Sequence, residues 1–383
     1  MSKDVVRPWE DDDLRLWRDS CRRFIEKEVV PNQQRWRQER RVERGLWLKA
    51  GDMGLLCPSV PAAYGGGGGT LSHELVVIEE LARALETGFG FGVHSPVVAD
   101  YIVSYGSEEQ KARWLPRMAT GESVAAIAMT EPGAGSDLRG LRARAERTPD
   151  GYVLNGTKTF TTNGATAELI IVVTVTNPDA GSRGLSLFML DARNTPQGFT
   201  RSQPLHKIGQ HSADTAELFF DDVVVGAEAL IGEEGAGLAY LMQQLPRERL
   251  VIAAGAATAA QRAVDLTVEH TKAREAFGAP LFQMQNTRFV LAECATLARV
   301  GQTFLDSCIV SYLAGSLDSA TASMAKWWLT DVQCEVVDRC LQLFGGYGYM
   351  DEYPIGRMYS DARVQKIYGG SNEIMKELIA RSL

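Results

Sequence analysis

The feature that most constrains this chain is a change of hydrophobic period, from helical to short-strand and back to helical. Leu14, Trp17, Cys21, Phe24 and Ile25 recur at the spacing that lays one apolar face along a helix, and Pro31 ends the run. Leu75, Ile78, Leu81 and Leu85 repeat the pattern before Gly88, and the glycine run 65–69 between the two must be a loop. Ser107 and Gln110 have capping-box spacing for a further helix. From about residue 121 short apolar runs take over, at 169–175, 185–190 and 218–220, separated by Asn-Pro, Asp-Gly and Asn-Gly turn signals. No long helices alternate with them, so a Rossmann-type sheet does not fit. After Gly237 long helical patterns return, through 249–270, 285–311 and 320–343, the first rich in alanines that let neighbouring helices approach closely.

The expected fold is therefore α+β and mainly α. A helical domain covers 1–120, a β-barrel-like domain 121–236, and a helical bundle 237–383. A chain of 383 residues accommodates two or three such units, and 45% hydrophobic with 23% charged residues supplies a folded core. The formal net charge of −8 argues against broad attraction to nucleic acid or an anionic membrane. The six cysteines form neither metal-type pairs nor a disulfide scaffold, which indicates a reducing cytoplasm. Residues 1–4 and the acidic 10–13 lack the apolar stretch of a signal peptide, although a processed organellar form would read the same way. No segment has the roughly 20 apolar residues of a membrane span. His206 and His211 are the near pair among the histidines, at a spacing that matches no metal motif, so no catalytic metal is expected.

Four segments can carry chemistry. In 130–137, Thr130 and Ser136 offer hydroxyls among glycines that admit a flat ring or a phosphate, and a tight surface loop explains the segment equally well. In 158–164, strand alternation would set Phe160 and Thr162 on one side, an aromatic surface beside a hydroxyl; an ordinary strand before an Asn-Gly turn is the plainer reading. Arg274, Phe277 and, further on, Gln285 can hold a phosphate and an adenine edge, while Arg274 and Gly278 also read as a helix end. In 342–349, three glycines beside aromatics suit backbone packed on something flat, or a packed helix terminus.

Taken in order, these segments make the chain resemble the acyl-CoA dehydrogenase family over essentially its whole length, and 361–381 looks like its long-chain-specific branch. The resemblance implies a central β domain between an N-terminal helical domain and a C-terminal four-helix bundle, with FAD at a subunit boundary of a homotetramer. It places Met129, Thr130, Phe160, Thr162 and Ser371 at the flavin. It places Arg274, Phe277, Gln285, Gln342 and Gly346 where one subunit holds its neighbour's FAD. Ser136 matches a position near the thioester end of coenzyme A, and Tyr368 one beside the substrate.

One departure matters. Many relatives carry a glutamate directly after the tyrosine that matches Tyr368, and here that position is Gly369, which has no side chain to act as a base. The long-chain and isovaleryl branches pair such a glycine with a glutamate matching Glu248, beside an arginine matching Arg249. The resemblance thus implies Glu248 as the base for the α proton. The backbone N–H of Gly369 would polarise the thioester carbonyl, and FAD would take the β hydrogen. Taken alone, Glu248 also reads as a first-turn carboxylate that favours a helix N-terminus, and Glu373 is the fallback base, though four residues onward it should face away or contact the cofactor instead. The expected reaction is dehydrogenation of a medium- to long-chain acyl-CoA, with an electron-transfer flavoprotein as acceptor. Acyl carrier protein thioesters, short branched acyl-CoA and an inactive FAD scaffold are the alternatives.

Overall fold

The computed structural model describes residues 7–383; the reading of residues 1–4 as free of an apolar leader lies outside them. The N-terminal part is helical: α1 (Asp12–Phe24), α2 (Gln33–Glu39), α3 (Arg44–Asp52), α4 (Leu71–Arg83), α5 (Phe91–Val93), α6 (Asp100–Tyr105) and α7 (Glu108–Ala119). Capping sets three of the starts, that of α4 through a Thr70–His73 capping box. The Asp11 carboxylate accepts the Leu14 N–H at 2.9 Å, with Asp12 and Asp13 in the first turn and Arg22 and Arg23 in the last, each charge opposing the helix dipole. Ser107 and Gln110 form the reciprocal capping box expected of them. Pro31 does not stop the chain abruptly; α1 runs through a π turn, Ile25–Val29, and a 3-10 turn, Val30–Asn32, into α2.

Seven strands then form one curled sheet: β1 (Ala125–Ala128), β2 (Arg144–Thr148), β3 (Gly151–Thr161), β4 (Leu169–Val175), β5 (Leu185–Asp191), β6 (Phe199–Arg201) and β7 (Ala216–Gly226). They lie in the order β1-β4-β2-β3-β7-β6, with β5 on the other flank of β4. β4 is parallel to β1 and antiparallel to β5. Its side chains alternate between two cores. Leu169, Ile171 and Val173 pack with α6 and α7, whereas Ile170 and Val172 pack inside the sheet against Phe188 and Leu190. Burial on both faces explains why this strand reads as an unbroken apolar run.

The C-terminal part is built from α8 (Gly237–Ala273), α9 (Gln285–Leu313), α10 (Ser319–Phe344), α11 (Pro354–Ala362) and α12 (Asn372–Ala380), with a small hairpin, β8 (Glu275–Ala276) and β9 (Ala279–Pro280), after α8. α8, α9, α10 and the shorter α12 pack together. The alanines do what their size allows. Ala253, Ala254, Ala256 and Ala257 bring α8 against the N-terminal core, and Ala260 and Ala263 bring it against α9 and α10. α8 is longer than its periodicity indicates, because Pro246 hides its start. The ring removes one N–H bond and the helix continues through it. Glu248 therefore sits well inside α8, not in its first turn as the dipole reading required.

A carboxyl at the crossing of two helices

Glu248 lies where α8 crosses α6. Its neighbours Arg247 and Arg249 are buried; Glu248 itself is half-buried, surrounded by protein yet keeping one open side. The buried Tyr101 hydroxyl of α6 donates to Oε1 at 3.0 Å. Burial pushes the Glu248 carboxyl up to about 7, against the opposing effects of the Tyr101 hydrogen bond and the Arg249 charge, with Asp100 adding to the rise. A carboxyl so placed exchanges a proton near neutral pH.

Arg249 turns away from its neighbour. Its guanidinium donates to Ser319 Oγ at 2.9 Å and Ser323 Oγ at 3.0 Å, fastening α8 to the start of α10. Arg247 points the other way, to the Pro96 carbonyl at 2.7 Å, to Ser59 Oγ at 3.0 Å and to Asp100 at 3.4 Å. Glu74, also raised by burial to about 7, holds the same Ser59 hydroxyl at 2.8 Å.

Gly369 stands opposite α8 in a turn with φ +63°, in the left-handed region. A Cβ there would lie 2.2 Å from Ile252 Cδ1, so any side chain requires the Ile252 methyl to shift. Ile252 follows Glu248 by four residues, one turn along the same face. The residue that packs against Gly369 thus comes from the helix that carries Glu248. The Gly369 N–H has no hydrogen-bond acceptor among the described residues. Tyr368 spends its hydroxyl on Gln365 Oε1 at 2.6 Å.

The turn is held by a residue that carries no sequence signal. Lys326 of α10, fully buried, donates to the Gly370 carbonyl at 2.8 Å and to Asn372 Oδ1 at 3.0 Å. Burial and the nearby Arg249 charge lower the Lys326 ammonium to about 8. Asn372 donates in turn to Thr330 Oγ1 at 3.0 Å and to Asp331 Oδ1 at 3.1 Å. Ser371 caps α12, accepting from the Ile374 N–H at 3.4 Å. Glu373, the fallback base, is exposed in the first turn of α12, on the solvent side.

The second cluster lies along the sheet. The Thr159 N–H donates to the Thr130 carbonyl at 2.8 Å, and buried Lys158 donates to the Met129 carbonyl at 3.0 Å and to Glu131 at 2.8 Å. Met129 and Thr130 are thereby set beside the end of β3. Strand alternation does not deliver Phe160 and Thr162, as the sequence reading assumed. The register slips between Lys158 and Thr161, Phe160 has φ +56°, and Thr162 lies just past the strand. A bulge re-aims the ring outward, leaving Phe160 67% exposed. Lys158 and Glu131 were missed because an ion pair across a strand leaves no motif.

A third group borders an open cleft of about 570 Å³ that includes Arg274, Gln342, Gly346 and Tyr347. Arg274 closes α8 as expected of a helix end, and its guanidinium lies over the Tyr347 ring at 5.6 Å. Gly278 is not the helix stop. It is the second residue of the β8–β9 turn, where Phe277 at φ +53° and Gly278 at φ +80° match a tight hairpin turn with both central residues left-handed. That turn holds Phe277 98% exposed at its tip. Gln285, at the start of α9, and Ser136, in the loop after β1, are exposed as well. His206 and His211 share no ligand site: His206 contacts Arg40, and His211 bonds the Lys207 carbonyl at 3.0 Å.

Family models described as the N-terminal, middle and C-terminal domains of acyl-CoA dehydrogenase match residues 11–122, 126–223 and 235–383. The mitochondrial long-chain specific acyl-CoA dehydrogenase of Sus scrofa is 48% identical over 370 residues, 96% of this chain and 86% of the relative. An acyl-CoA dehydrogenase structure from Geobacillus kaustophilus superposes with a TM-score of 0.96 at 44% identity, covering 98% of this chain and 99% of that one. A glutaryl-CoA dehydrogenase of Mycobacterium smegmatis, in complex with FADH2, superposes at 0.90 with 28% identity, covering 97% and 95%. This three-part fold and the relatives it matches define a flavoprotein dehydrogenase. The chain belongs to the acyl-CoA dehydrogenase family, and it is an FAD-dependent enzyme that dehydrogenates acyl-CoA. Among the described residues no helix is long and apolar enough to cross a membrane.

Proposed function

We propose that Glu248 is the base that removes the α proton of a medium- to long-chain acyl-CoA. One observation supports this reading: Ile252 of α8 packs against the bare Gly369, and Glu248 presents a carboxyl one turn earlier on the same helix. A pKa near 7 suits a group that must be ionised before the reaction and protonated after it. The free Gly369 N–H is the chain's own donor to the thioester carbonyl, where it stabilises enolate-like charge.

FAD, when bound, supplies the two-electron acceptor. The residues present fit it. Phe160 offers an exposed ring on a rigid sheet, Met129, Thr130 and Thr162 border it, and Ser371 adds a hydroxyl. Arg274, Phe277, Gln285, Gln342 and Gly346 lie exposed on the other side, and a Cβ at Gly346 would meet nothing within 4 Å. In this reading they hold the diphosphate and adenine of a neighbouring protomer's FAD, in a homotetramer. Ser136 attends the thioester end of coenzyme A, and Tyr368 lines the substrate side. The preference for longer acyl chains is supported by the name of the Sus scrofa relative. The reading extends to an electron-transfer flavoprotein as acceptor, to domain borders after residues 120 and 236, and to a cytoplasmic or processed matrix location.

Anaerobic mixing with straight-chain acyl-CoAs tests the base. Glu248→Gln should keep its FAD and bleach at least roughly 10²-fold more slowly, the lower end of what a positioned base contributes. Normal bleaching in that variant removes Glu248 from the reaction.

A further inference from the structure

The base carries one protein hydrogen bond, and that bond divides its two oxygens. Tyr101 Oη donates to Oε1 at 3.0 Å, while Oε2 has no hydrogen-bond partner among the described residues. Tyr101 is itself fixed, because its ring is fully buried in the core shared by α6, α7 and the sheet. On α6 it stands next to Asp100, which Arg247 of α8 holds at 3.4 Å. The α6–α8 crossing is thus clamped at two successive residues, Asp100 to Arg247 and Tyr101 to Glu248.

We propose that Tyr101 is a positioning residue for the base: its hydroxyl fixes Oε1, so that Oε2 is the oxygen that receives the α proton. The inference rests on Glu248 being the base. In the step, the α C–H bond breaks, an O–H bond forms on Oε2, and the C–H electron pair stays with the acyl chain. The tyrosine proton does not move. Burial raises the Tyr101 hydroxyl well above its ordinary range, so it remains a donor at every working pH.

The same bond sets where the base titrates. A donor to a carboxylate favours the charged form and holds its pKa down. The other groups facing Glu248 are Asp100 and, beyond it, Tyr105 on α6, and Arg249 and Arg247 on its own helix. Glu74 of α4 lies behind Arg247, and Lys326 of α10 behind Arg249. Arg249 lowers the base and Asp100 raises it; Tyr101 is the lowering contact that can be removed as a single oxygen atom.

Tyr101→Phe keeps the ring and deletes that oxygen. The test is single-turnover bleaching of the FAD-loaded enzyme by an acyl-CoA, followed from about pH 5.5 to about pH 9. The rising limb should move up by about one pH unit, a tenfold slower reaction at any pH on that limb. kcat should fall more than KM rises, and FAD content and Tm should stay near wild type. Site-specific 3-fluorotyrosine at 101, a more acidic donor of nearly the same shape, should move the limb down instead, which keeps the test decisive where the phenylalanine variant folds poorly. A limb unmoved by both replacements overturns the proposal. Glu248→Gln separates the two readings. If it bleaches normally, the base assignment fails; if it is inert while both Tyr101 replacements keep the wild-type profile, only the role of Tyr101 fails.

Discussion

Two regions of this molecule differ in how much of their work one chain completes. Around Glu248 most polar groups find partners inside the protomer, Oε2 and the Gly369 N–H excepted: Tyr101 on Oε1, Asp100 against Arg247, Arg249 on Ser319 and Ser323, Lys326 on the turn before Ser371. Along the cofactor border the opposite holds. Phe160, Phe277, Arg274 and Gln342 lie exposed, and the cleft that Arg274 and Gln342 border is open to solvent. On the proposed reading, proton chemistry is built into a single fold, while the surfaces assigned to FAD are completed by a second protomer. A substitution in the first region should change pH dependence and rate at any protein concentration. One in the second should change FAD retention, and should do so as a function of concentration.

The largest effect that breaks or sustains this contrast is the pH dependence of the chemical step. Because burial raises Glu248 to about 7, its reactive ionised form is lost as pH falls through that value. The bleaching rate should drop about tenfold per unit below pH 7, by about a hundredfold at pH 5. Stability carries the reverse sign. A carboxyl whose folded pKa is raised contributes stability that is present below the ordinary carboxylate range and lost as pH rises through about 7. In Glu248→Gln both dependences should flatten, which thermal unfolding of the variant against pH will show.

Next is the fit between Gly369 and Ile252. An alanine at φ +63° costs about 1–2 kcal/mol for its backbone alone, and its methyl group would overlap Ile252. Gly369→Ala should therefore lower Tm by several degrees and slow bleaching. Ile252→Ala should recover part of the loss when combined with it, a coupling that a double-mutant cycle measures directly. Strict additivity would mean that α8 does not occupy the space of the missing side chain.

What could be read from residues alone divides along the same line. The order of the three parts, the buried β4 run and the Ser107 capping box follow from period and local chemistry, which a linear pattern preserves. The start of α8 was hidden by Pro246, since a helix fixed by long tertiary contacts tolerates a ring that local propensity forbids. Phe160 was placed by alternation, and a bulge overrode it. Gly278 reads as a helix stop because glycine at positive φ serves helix ends and hairpins alike. Tyr101, Lys326 and the Lys158–Glu131 pair leave no signal at all. Each works through a partner on another element, at a separation that no spacing rule covers.

Lys326 gives a smaller effect. Replacing it with methionine keeps most of its volume and strips the Gly370 carbonyl and Asn372 Oδ1 of a donor, which should cost about 1–3 kcal/mol. If the turn serves mainly to aim the Gly369 N–H, Lys326→Met should slow bleaching more than its loss in Tm accounts for, with FAD content unchanged. Equal behaviour of rate and fold stability would reduce Lys326 to a packing residue.

The smallest change in fold should come from Phe277, and for that reason it separates the two regions most cleanly. With the ring 98% exposed at a hairpin tip, Phe277→Ala removes almost no contact within the protomer, and fold stability should move by less than about 0.5 kcal/mol. The turn itself persists, because Gly278 keeps the left-handed position that matters most to it. If that tip holds another protomer's cofactor, as proposed, the loss should appear in FAD retention. Dilution should release FAD from the variant at concentrations where the wild type keeps it, and the apparent pKa of the bleaching step should stay where Glu248 sets it. If FAD retention is unchanged at every concentration, the exposed tip has no part in holding the cofactor, and the open border is simply surface.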